Sequence, residues 1–98
     1  MQDIKNMTVE FDNSAAKIYS QLFEQYLSSV SKVKRKTNEN VFRMQIAKFS
    51  LDLRGQLEQE AKRISANYSG NLQEQLEITL TKKINYYLQE FQHKCDAW

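Results

Sequence analysis

Proline is absent from this chain of 98 residues, and glycine occurs only twice, at Gly55 and Gly70. Sandwich and hairpin folds need many more such residues at their turns, so an all-β architecture is excluded. Cysteine occurs once, at Cys95, which rules out a disulfide framework. A lone thiol stays reduced in the cytoplasm, the expected location. Long hydrophobic runs are also lacking. The longest run of large apolar side chains is Tyr86-Tyr87-Leu88, far short of the roughly 20 residues that a membrane span requires. The first thirty residues hold Asp3, Glu10, Asp12 and Glu24 and no apolar stretch of export-signal length. Nor is there an excess of one charge, with 14 Lys and Arg against 12 Asp and Glu for a net +2. That balance argues against a polyanion-coating arm and against an acidic disordered tail.

What the chain does have is helical periodicity, in three segments. From about Asp12 to Lys36, the apolar positions Ala15, Tyr19, Leu22, Tyr26, Val30 and Val33 step by 4, 3, 4, 4 and 3. Asp12, Asn13 and Ser14 offer N-cap oxygens for this segment, and with Asp12 as the cap Phe11 is its hydrophobic staple against Ala16. Residues 1–11 then form an arm ahead of the helix. In a second segment, about 39–67, Phe42, Ile46, Phe49, Leu53, Leu57, Ala61, Ile64 and Tyr68 step by threes and fours. In a third, about 71–96, Leu72, Leu76, Leu80, Ile84, Tyr87, Phe91, Cys95 and Trp98 do the same. Asn71 with Glu74 resembles a capping box at its start, and Gly70 suits the left-handed residue that closes the helix before it.

The apolar positions of the second and third segments each span 26 residues in seven steps. The mean step, about 3.7, exceeds the 3.5 of a left-handed coiled coil and favours nearly straight packing. The expected fold is therefore all-α. It is an elongated three-helix bundle, up-down-up, in which segments 39–67 and 71–96 form an antiparallel helical hairpin.

Chemistry has little to stand on. His93 and Cys95 are the only residues of their kinds, and at i and i+2 they point in different directions on a helix. A structural zinc needs four ligands, mostly Cys or His. Glu90 and His93 have the spacing used by di-iron bundles, but His93 projects outside the apolar arc of their segment and Glu90 lies at its margin. Two isolated glycines cannot build a phosphate loop. The reading is accordingly non-enzymatic, with no catalytic residue, cofactor or metal assigned.

Two surfaces remain. The first is apolar. Segment one is greasy over about half its circumference. Segment two carries a second stripe, Met44, Ala47 and Leu51, at i, i+3 and i+7. A monomer of this size has difficulty hiding both, and large exposed apolar patches mark contacts. Tyr19, Phe23, Tyr26, Met44 and Leu51 are therefore the expected anchors of a homo-oligomer or of a contact with a helical protein partner. The alternative is that the arm, with Ile4, Met7, Val9 and Phe11, folds back over them. The second surface is basic. Residues 32–48 sum to +5, from Lys32, Lys34, Arg35, Lys36, Arg43 and Lys48 against Glu39. Phosphate contact by a nucleic-acid-binding regulator is the competing function. The same charges also complement a helix C-terminus.

Overall fold

The computed structural model describes residues 4–97, with the side chains of residues 4–6 outside the description. Helix α1 spans Ile4–Val30, α2 spans Glu39–Ser65 and α3 spans Gly70–Asp96, each 27 residues long. A single 3₁₀ turn, Arg35–Thr37, interrupts the first connection. Among the described residues there is no strand. The fold is an all-α three-helix bundle, a rod of 54 × 18 × 17 Å.

Contacts between the helices give their directions. Tyr26 of α1 meets Phe49 of α2, while Glu10 of α1 meets Arg63 of α2, so these helices run antiparallel. Asp12 of α1 meets Lys83 of α3, and Tyr26 meets Cys95, so α1 and α3 run parallel. The order is up-down-up, and α2 and α3 form the expected hairpin.

The first helix begins earlier than its capping signals suggest. Asp12 caps nothing, and the residues expected to form an arm are helical from Ile4 onward. Met7 and Phe11 are buried on the same stripe as Ala15, Leu22, Tyr26 and Val30. They extend the core as helical residues and do not fold back over it. The apolar spacing runs unbroken from Met7 to Ala15 by fours, and tertiary burial outweighs the local cap. Val9 lies on the outer face, half exposed.

The helix also ends earlier, at Val30 rather than Lys36. Three serines stand in its last turn and just beyond. Ser29 Oγ donates to the Tyr26 carbonyl at 2.7 Å, and Ser31 Oγ donates to the Ser28 carbonyl at 3.1 Å. Such local bonds compete with helix continuation. Asn38 then organises the restart. Its side-chain amide donates to the Lys34 carbonyl at 3.0 Å, and its own carbonyl accepts from the backbone N–H groups of Val41 and Phe42.

The second connection is four residues, Ala66 to Ser69. Gly70 is the first residue of α3 and has a φ of 66°, the left-handed region that glycine enters without a Cβ penalty. It opens α3 and does not close α2. The N-cap is Ser69 in extended conformation, so Asn71 lies inside the helix and forms no capping box. Gln73 supplies the missing link, donating from Nε2 to the Ser65 carbonyl at 3.1 Å. The same carbonyl accepts from the Tyr68 N–H at 3.1 Å, so two donors tie the end of α2 to the turn and to α3.

The core is one column with two kinds of filling. Near the Ala66–Ser69 turn it is mainly aliphatic, with Leu53, Leu57, Ile64, Leu76 and Leu80 all at 1% exposure or less. Toward the other end it is aromatic. Tyr26 packs edge-on against Phe49 at 6.3 Å between centroids, and Phe91 sits edge-on to both Tyr19, at 5.6 Å, and Phe23, at 6.3 Å. T-shaped pairs of this kind add to the area term in a core.

Candidate interaction surface

The five expected apolar anchors divide into two groups. Tyr26 is wholly buried, Phe23 is buried, and Tyr19 is half-buried against Tyr87 and Phe91. Lys94 lays its ammonium 4.4 Å above the Phe23 ring and 5.6 Å above that of Tyr19, closing this cluster from outside. These three belong to the interior of one chain and are not surface anchors. The physical reason is that α1 packs against α2 and α3 at once, so its wide apolar arc is filled from two sides. Burial pushes the phenol pKa values of Tyr19 and Tyr26 up, with Cys95 adding to both.

Met44 and Leu51 behave differently. They are 69% and 68% exposed, two turns apart on the side of α2 that faces away from Phe42, Phe49 and Leu53. Ala47, between them, is exposed as well. On its α3 side the stripe borders a groove of about 330 Å³ lined by Ala47, Ser50, Leu51, Arg54, Leu88 and Gln92. Ser50 is buried, and its Oγ has no hydrogen-bond partner among the described residues. Leaving such a hydroxyl unmatched costs on the order of 1–3 kcal/mol. The periodicity marked the stripe, but nothing in the sequence marked Ser50 or the α3 wall. Leu88 and Gln92 reach the groove only because α3 lies antiparallel beside α2.

The six basic residues expected to contact nucleic acid are not equivalent either. Arg35 is committed inside the protein. Its Nη1 donates to the carbonyl oxygens of Asp96 at 2.9 Å and Cys95 at 3.3 Å. Its guanidinium also lies 3.7 Å from both Glu39 and Asp96 carboxylates and 5.2 Å from the Phe42 ring centroid. A residue of the first connection therefore caps the end of α3, some sixty positions away. Lys32, Lys34 and Lys36 are exposed on the connection, and Arg43 and Lys48 are exposed on α2. Lys48 stands 5.4 Å over the Phe49 ring.

Other polar groupings are bonded among themselves. Between α1 and α3, Asp12 accepts from Lys83 Nζ at 3.0 Å and from the Tyr87 hydroxyl at 3.0 Å. A cleft of about 390 Å³ opens beside this clasp, under the exposed Tyr86. Burial, reinforced by the bond to Asp12, pushes the Tyr87 phenol up to about 12. Between α1 and α2, Arg63 bridges Glu10 at 3.1 Å and Glu60 at 2.6 Å, and its hydrogen bond holds the Glu60 carboxyl below the usual range.

Cys95 is fully buried. Burial, with the neighbouring Asp96 carboxylate, pushes its thiol up to about 12, so no thiolate is present near neutrality. His93 and Glu90 are exposed. Among the described residues, no group of three His, Cys, Asp or Glu side chains is placed to hold a metal ion, and no helix is long and apolar enough to cross a membrane.

No protein-family model, curated protein or solved structure matches this chain.

Proposed function

We propose that this protein is a non-catalytic interaction or accessory protein that associates through the outward stripe of α2. The associated surface is a copy of itself or a helix of another protein. The observation that carries the reading is the exposure of Met44 and Leu51, 69% and 68%, on one line beside a groove holding the unmatched Ser50 hydroxyl. Exposed apolar residues scattered singly are ordinary on a soluble protein. Two on one helix face, beside a groove walled by Leu88 and Gln92, fit a surface covered by a partner. Met is a common anchor in such contacts, and charges around the stripe would orient the encounter. The unpaired thiol suits a reducing compartment such as the cytoplasm.

The reading is tested by Leu51→Glu. The side chain is exposed, so the helices should form normally, and circular dichroism should match the parent. Light scattering of the parent at high concentration, or co-purification with a defined partner, should register an association that the variant loses. An association that survives Leu51→Glu would place the contact on another face.

A further inference from the structure

Resting on that reading of the α2 stripe, we propose that its occupant is an amphipathic helix of another protein whose apolar side is flanked by acidic residues. The charge around the stripe favours this over a second copy. Between Arg43 and Arg54, α2 carries three cations, Arg43, Lys48 and Arg54, against one carboxylate, Asp52, and all four are exposed. The cations flank the Met44–Leu51 line at about 50–90°, Arg43 and Arg54 on one side and Lys48 on the other, where the rim of a docked helix passes. The α3 wall of the groove, Leu88 and Gln92, is uncharged, so the lining carries a single charge, Arg54. Glu58, which pairs with Arg54 at 3.4 Å, lies two turns beyond Leu51.

A two-fold axis that laid Met44, Ala47 and Leu51 on the same residues of a second copy would set these three cations against themselves. Like charges facing each other across an interface discriminate against that partner. Glutamates or aspartates flanking an apolar strip would meet the same cations favourably.

The test uses two synthetic peptides of equal helicity with the same Leu and Ala apolar face, one flanked by Glu and one by Lys. Each is titrated by fluorescence anisotropy into the full chain labelled with ¹⁵N, and amide shifts are followed in parallel. The Glu-flanked peptide should bind, weaken as salt is raised, and perturb Met44, Ala47, Leu51 and Leu88. The Lys-flanked peptide should bind about tenfold more weakly or not at all. Leu51→Glu should abolish binding while its spectrum elsewhere stays unchanged. Equal affinity for the two peptides, binding by neither, or shifts confined to another face would overturn the proposal. Light scattering of the protein alone separates the two levels of the argument. A dimer that Leu51→Glu dissociates would overturn the acidic partner and leave the docking face standing. A monomer that binds neither peptide would overturn both.

Discussion

Arg35 Nη1 stands 2.9 Å from the Asp96 carbonyl and 3.3 Å from that of Cys95, which also accepts from the Tyr26 hydroxyl at 3.4 Å, at a helix end whose last carbonyls lack intrahelical partners. Hydrogen bonds made by a charged donor are among the stronger ones, so Arg35→Gln should lower stability by about 1–2 kcal/mol in urea unfolding. Arg35→Lys should recover only part of this, because an ammonium lacks the fork that spans two carbonyls. Ser50 should respond in the opposite direction. Its hydroxyl is buried and unmatched, so Ser50→Ala should leave the free protein unchanged or stabilise it by about 1 kcal/mol. A clear loss of urea midpoint would mean that the hydroxyl is matched in solution. Cys95 and Tyr87 set the alkaline limit. Both have folded pKa values raised to about 12, from ordinary values of 9.0 and 10.0. The unfolded chain gives up these protons first, so their contribution is fully present below about pH 9 and is lost as pH rises towards 12. The urea midpoint should fall across that window, and Cys95→Ala should flatten its lower part. For the same reason alkylation of the folded thiol near neutrality should proceed only as fast as the chain opens.

At the level of helices, the two glycines make opposite predictions. Gly55 is in the middle of α2 with nothing within 4 Å of the position a Cβ would take, so Gly55→Ala should stabilise by about 0.5–1 kcal/mol. Gly70 also has open space, but its φ of 66° penalises any L side chain, and Gly70→Ala should cost on the order of 1 kcal/mol. Thermal melts of the two variants should move to either side of the parent. Helix number, order and hairpin pairing could be read from apolar spacing, because that spacing records which side of each helix meets its neighbours. The ends could not. Asp12 looks like a cap because its carboxylate is short and precedes a periodic run, yet its partners are Lys83 and Tyr87, some seventy positions away. Val33 continues the apolar stride past the end of α1, while Ser29 and Ser31, which draw hydrogen bonds to nearby carbonyls, weigh against continuation. The exposed stripe of α2 was visible in part for the same reason. Met44 and Leu51 are surplus to α2's inward face and do lie outside. Tyr19, Phe23 and Tyr26 also looked surplus, but only a third helix on α1's other flank could show them to be interior.

Taken as a whole, the molecule is a thin rod with a Cα radius of gyration of 15.7 Å. Small-angle scattering of the isolated chain should return a value close to this together with a long-axis dimension near 54 Å. Docking along α2 would thicken the rod and leave its length nearly unchanged, whereas end-to-end contact would lengthen it, so the distance distribution discriminates between the two. The 18 × 17 Å cross-section leaves room for only one file of core side chains, stacked in storeys from Met7 to Cys95. Each storey is shielded by the ones above and below it and by a single wall of helix on each side. Amide exchange should therefore be slowest midway along the file, around Leu53 and Leu80, and quicken towards both tips. The protein should come apart as a stack loses its outermost floors, with the Arg35 latch delaying that erosion at one tip only.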